Sequence, residues 1–130
     1  SIVRFTESGE GSFVFANLVD FDMLYGHRND VEGYAEALET FDRALERILP
    51  ALKPDDILMI SADHGCDPTT PSTDHSREYI PLLATGVPLK RNVNIGTRKS
   101  FADIGATIFE YLTGERWNAG ESFLNLIKEK

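Results

Sequence analysis

Ile57-Leu58-Met59-Ile60, running into Ser61-Ala62-Asp63-His64-Gly65, is the stretch on which the fold turns. Four consecutive apolar residues, β-branched at both ends, are too few for a helix and suit a buried strand. The strand stops where the chain turns polar, and Ser61 opens a long loop that runs through Glu78. Upstream, Phe13-Val14-Phe15-Ala16-Asn17-Leu18-Val19 has the same apolar, β-rich character and reads as a second buried strand, followed by a polar loop from Asp20 to Asp30. Both loops leave from the carboxyl ends of strands, which is where open α/β sheets bind ligands.

Between the two strands lies an amphipathic helix. Val31, Tyr34, Leu38, Phe41, Leu45 and Ile48 recur at spacings of three and four, with Glu32, Glu36, Glu39, Asp42, Glu46 and Arg47 on the other face. Asn29 and Glu32 resemble a capping box, and Pro50 marks the end. Downstream, Ile80 to Thr85 reads as a third strand, with Pro81 suited to its start or to an edge. Asn92 to Thr97 reads as a short fourth strand. Ser100, with Asp103 three residues on, caps a helix carrying Phe101, Ile104, Ile108, Phe109 and Leu112 and stopped by Gly114. A last helix covers about Ser122 to Lys128. This order predicts an α/β fold with a mainly parallel sheet flanked by helices. The Gly/Ser/Glu-rich residues through Gly11 read as a loose arm, and no internal repeat or low-complexity segment interrupts the chain.

Composition narrows the function. The 130 residues are 42% hydrophobic and 10% aromatic, enough for a core. No apolar run nears the roughly 18 residues of a membrane-spanning helix. Twenty-one Asp and Glu against 13 Lys and Arg give a net charge of −8. That is the wrong field for a general nucleic-acid binder and a favourable one for cations. One cysteine, Cys66, excludes an intramolecular disulfide framework and a Cys-rich zinc site, and fits a reducing, cytoplasmic setting. Ser1 to Thr6 has neither the basic start nor the apolar stretch of a secretory signal. The chain has no initiator Met, as an excised or processed piece would lack one.

The chemistry gathers in the two loops. They hold all three histidines, together with Asp20, Asp22, Asp63, Asp67 and Asp74. Carboxylates and neutral imidazoles suit Zn, Mn or a similar divalent ion. Taken singly, an Asp-His pair after a strand is often only a hydrogen-bonded loop, and Asp67-Pro68 is ordinary turn chemistry. It is the convergence of both loops on one sheet edge that favours a metal. Other schemes fare worse. There is no G-x-S-x-G elbow, and Gly9-Glu10-Gly11 lacks the Lys-Ser/Thr ending of a P-loop. Cys66 lies too near His64 in sequence to be aimed back at it as an activated thiol, and the single Trp117 and scattered Tyr residues form no stacking platform.

Asn17-Leu18-Val19-Asp20-Phe21-Asp22 through Tyr25-Gly26-His27-Arg28, with Ser61-Ala62-Asp63-His64-Gly65-Cys66-Asp67-Pro68 and Thr73-Asp74-His75-Ser76-Arg77-Glu78, resembles the phosphopentomutase family of the alkaline phosphatase superfamily. The resemblance runs from about Phe13 to the final helices. It implies an isomerase that interconverts ribose or deoxyribose 1-phosphate and 5-phosphate at a two-metal centre, usually of Mn²⁺. It further implies that Asp22, His27 and His75 hold one ion and that Asp63 and His64 hold the other, with Gly65 supplying the bend that lets these two adjacent residues face one ion. In that family a phosphorylated threonine passes its phosphoryl group to the sugar phosphate through a bisphosphate intermediate. The threonine and a further Asp ligand belong to an N-terminal segment that precedes a cap domain. Nothing in the match places Thr69, Thr70 or Thr73 in that role. Residues 1–130 thus read as the C-terminal part of the core, inactive alone, with uncovered apolar sheet surface through which copies are expected to associate. Arg28 and Arg77 either meet phosphate or brace neighbouring carboxylates. The alternatives are a cofactor-independent phosphoglycerate mutase or phosphodiesterase of the same superfamily, and a non-catalytic module that binds metal or a protein partner.

Overall fold

The computed structural model describes residues 13–129, so the expected N-terminal arm lies outside the described residues. The described residues form two compact units, one of residues 13–53 and 58–85, the other of residues 54–57 and 86–129. Both candidate loops belong to the first.

In the first unit the amphipathic helix forms as α1, Val31–Ile48. Its cap is Asp30 rather than Asn29: Asp30 Oδ1 accepts the Gly33 amide at 2.9 Å, satisfying one of the free N–H groups of the first turn. Pro50 falls in a 3₁₀ turn, Leu49–Ala51, directly after the helix. The two strands β1, Leu58–Ser61, and β2, Leu82–Thr85, pair with Leu58 opposite Thr85 and Ser61 opposite Leu82. The expected mainly parallel sheet is not what these residues form: the ladder among the described residues is two-stranded and antiparallel. A parallel pair needs a crossover, usually a helix. Here residues 62–81 are all loop, so β2 returns alongside β1. Pro81 stands just before β2, where its missing N–H breaks no ladder bond, and its carbonyl accepts the Ser61 hydroxyl at 2.9 Å.

Phe13 to Val19, expected as a buried strand, has no ladder partner among the described residues and is exposed throughout. An apolar segment becomes a strand only when another strand takes its backbone groups. The polar loop that follows is more regular than expected. Phe21–Tyr25 forms one π-helical turn and Gly26–Arg28 a 3₁₀ turn, with the Phe21 ring edge-on to Tyr34 at 5.6 Å and to Phe41 at 6.4 Å.

The second unit holds most of the buried hydrophobic side chains among the described residues. Leu89, Ala106, Phe123, Leu124 and Ile127 lie there, against Ile48 alone in the first unit among the described residues. Its helix α2, Ala102–Thr113, stops at Gly114 in the left-handed region. Ser100 Oγ takes the Ala102 amide at 3.1 Å, so the expected cap works one step from the assigned helix start. A short α3, Leu124–Ile127, follows. Residues 92–97 form no strand, because Asn92 and Gly96 hold positive φ and the Asn94 side chain takes the Gly96 amide at 2.8 Å.

Candidate metal centre

The π-helical turn brings Asp22 to the middle of a ring of imidazoles. His27 Nε2 lies 3.4 Å from Asp22 Oδ2, while His75 Nε2 and His64 Nε2 lie 3.7 Å and 3.8 Å from Oδ1. The His64 and His75 rings stack at 3.9 Å, and His27 tilts against His75 at 4.6 Å. One ligand atom from each of Asp22, His64 and His75 fits within 4.8 Å of the others. Asp63 stands at the rim: its side chain is 86% exposed, with Oδ1 3.7 Å from His64 Nε2. The structure therefore gathers all three histidines around Asp22. Arg28 and Arg77 are exposed, and neither makes an ion pair among the described residues.

The hydrogen bonds show what this ring suits. His27 Nδ1 lies 3.2 Å from the Thr73 carbonyl oxygen, and His64 Nδ1 lies 3.1 Å from that of Gly65. A carbonyl only accepts, so Nδ1 donates in both, and in a neutral imidazole that leaves the Nε2 lone pair facing Asp22, itself an acceptor. Separations of 3.4–3.8 Å are too long for hydrogen bonds. Asp22 Oδ1 is buried, and no hydrogen-bond donor reaches it. Acceptors facing one another around a buried oxygen call for a positive charge between them. Two donors each about 2.0–2.1 Å from a tetrahedral ion would stand about 3.3 Å apart, close to the spacing found. Backbone carbonyls on the far ring nitrogens are the usual outer support of metal-binding histidines. The donor set thus fits a divalent cation.

Several supports of this site escape a reading of the sequence. Gly26 is buried, and a Cβ there would lie 3.2 Å from Cys66 Sγ and 3.4 Å from Asp22 Oδ1, so the two loops close on each other at this point. Burial, with the Asp22 and Asp67 carboxylates behind it, pushes the Cys66 thiol up, which disfavours the thiolate a nucleophile would need. Tyr34 is pushed up as well, by burial first and then by Cys66 and Asp22. Asp67 Oδ1 accepts from the Thr69 hydroxyl at 2.6 Å and the Thr69 amide at 2.9 Å, and these bonds hold its carboxyl below the usual range. The Asp67 amide donates to Ser76 Oγ at 2.7 Å. Asn29, left-handed at φ 50°, donates from Nδ2 to the Thr70 carbonyl at 3.0 Å. The one available signal for Asn29 was its type, since Asn tolerates the left-handed region better than most residues.

A family model described as the metalloenzyme superfamily matches residues 1–116. Over 116 residues, 89% of the chain, the sequence is 61% identical to a phosphopentomutase of Lachnoclostridium phytofermentans. It is 60% identical over 114 residues, 88% of the chain, to that of Acetivibrio thermocellus, and 60% identical over 122 residues, 94% of the chain, to that of Desulfitobacterium hafniense. These matches cover 30%, 29% and 31% of the relatives, so the chain spans about a third of their length.

Proposed function

Because this chain belongs to the metalloenzyme superfamily, we propose that it is the C-terminal, metal-bearing part of the core of a phosphopentomutase, the isomerase that moves a phosphoryl group between the 1- and 5-positions of ribose or deoxyribose. The observation that carries the reading is the ring of three Nε2 atoms around the Asp22 carboxylate, in a chain about 60% identical to enzymes of that name. In this proposal Asp22, His27 and His75 hold one ion and Asp63 and His64 the other, both Mn²⁺, in a cytoplasmic enzyme whose complete sheet is mainly parallel. Bound there, divalent ions supply charge neutralisation at the transferring phosphoryl group and at the attacking and leaving oxygens.

The chain's own residues do the rest. The Thr73 and Gly65 carbonyls fix the ring orientations of His27 and His64. Asp22 presents both carboxylate oxygens to the ring of imidazoles. Arg28 and Arg77, exposed beside the site and free of ion pairs among the described residues, are available to a sugar phosphate. The nucleophilic threonine is assigned to no residue of this chain, which is therefore proposed to be inactive alone and prone to self-association.

The test is a chimera in which residues 1–130 replace the matching segment of the Acetivibrio thermocellus relative. Turnover of ribose 5-phosphate is expected, and Asp22→Ala should abolish it. Turnover of 3-phosphoglycerate in its place would refute the assignment in favour of the mutase alternative. Failure of the chimera to take up any divalent ion would favour the non-catalytic module.

A further inference from the structure

The loops that carry the candidate ligands are joined, among the described residues, by two hydrogen bonds. One belongs to a candidate ligand, His27. The other runs from Asn29 Nδ2 to the Thr70 carbonyl, 3.0 Å long and partly buried, across 41 positions of sequence. Asn29 is fixed on both sides. It closes the 3₁₀ turn that carries His27, its amide donating to the Gly26 carbonyl at 3.3 Å, and it directly precedes Asp30, the cap of α1.

The segment that Asn29 grips is braced from within. Asp67 holds Thr69 through its carboxylate and Thr70 through its carbonyl, while the Asp67 amide closes the loop on Ser76 Oγ. The ten residues from Asp67 to Ser76 are thereby closed into one loop, with His75 at its neck beside Ser76. These bonds all lie within the loop, so its placement relative to Asp22 rests on the bonds that reach it from outside.

Resting on the metal-centre reading above, we propose that Asn29 is a positioning residue whose side-chain amide, by holding the Thr70 carbonyl, keeps His75 within reach of Asp22 and His27. A purely conformational role makes a different prediction, because glycine would keep the left-handed turn and lose only the amide. Two measurements on the 130-residue chain separate them: calorimetric titration with Mn²⁺ alone, and the nuclear Overhauser contact between the His27 and His75 rings without metal. Asn29→Gly and Asn29→Asp should each weaken Mn²⁺ binding about tenfold, the lower end of what outer supports of metal ligands contribute, and should weaken the ring contact. Asp30→Ala, which removes the cap of α1, should lower the melting temperature and leave both readings unchanged. Should Asn29→Gly keep both Mn²⁺ affinity and the ring contact, the amide does not position the loop and the proposal fails. If the unaltered chain takes up no Mn²⁺, the metal reading fails on its own and the ring contact decides. Its survival in both variants overturns the role of Asn29, and its loss upholds it.

Discussion

A Cβ at position 65 would lie 2.6 Å from the Glu78 carbonyl oxygen and 2.7 Å from the Glu78 nitrogen, both backbone atoms. Real Cβ atoms do not sit that close, so the two ends of the long loop can touch only because residue 65 has no side chain. A glycine after Asp63-His64 reads as a bend from sequence alone, and the structure adds that Gly65 provides room. Gly65→Ala should therefore force the neck of the loop apart, with an overpacking cost of about 2 kcal/mol and weaker Mn²⁺ binding through the displaced His64. Urea denaturation and Mn²⁺ titration check this, and a variant as stable and as tightly binding as the parent would refute it. The candidate ligands themselves are legible in the sequence, since Asp and His collect in loops that follow apolar runs. Gly65, Asn29 and the Asp67–Ser76 closure are not, because each acts on a partner 9 to 41 positions away. No local pattern encodes that distance.

Elements are legible where their stabilisation is local. The three-and-four spacing of α1 and the cap and left-handed stop of α2 rest on bonds within a turn or two. The fate of Phe13 to Val19 and the direction of the β1–β2 ladder depend on partners that the segment itself does not specify. Gly33 illustrates the conflict of the two. Alanine there should favour the helix by about 1 kcal/mol, but its Cβ would fall 2.5 Å from the Tyr25 ring, so the glycine admits the loop onto the helix. In α2, Asp103 is 3% exposed and gathers three donors: the Arg98 guanidinium at 2.8 Å, the Glu121 amide at 2.8 Å and, at its carbonyl, the Thr107 hydroxyl at 2.7 Å. The Glu121 amide first, and then Arg98, hold its carboxyl below the usual range against the opposing effect of burial. A depressed folded value means that the ionised group stabilises the fold above the unfolded carboxylate value of about 3.9. The contribution is lost as pH falls from there through the folded value. Asp103→Ala should cost about 2 kcal/mol at pH 6, because it removes the acceptor of the Glu121 amide and of Arg98 Nε, and the gap between variant and parent should narrow at pH 3. An undiminished gap in urea melts at the lower pH would refute the ionic account.

At the scale of the whole molecule, charge and apolar surface act against each other. The loops 20–30 and 61–78 carry seven carboxylates and two arginines, a net −5 of the chain's −8. Bound to two divalent ions, the chain would fall to −4. The unit that holds this charge also exposes Phe13, Phe15, Leu18, Met23, Leu38 and Leu83, with Phe15 81% exposed. Its one buried hydrophobic residue among those described is Ile48. Soluble monomers seldom leave so much large apolar surface in one region, and the unpaired edges of β1 and β2 among the described residues add backbone groups that a second strand could take. Repulsion between negative chains opposes association and is itself screened by salt. The chain should therefore associate weakly at about 0.01 M salt, where charges act over about 30 Å, and strongly at about 1 M, where they act over about 3 Å. Mn²⁺ should shift the balance in the same direction as salt by reducing the net charge. Phe15→Glu combined with Leu83→Glu should reduce association at both salt concentrations, since each places a charge on the surface that must desolvate. Sedimentation velocity reads all of these, and a single monomeric species at high salt with Mn²⁺ present would show that the exposed apolar residues drive no contact.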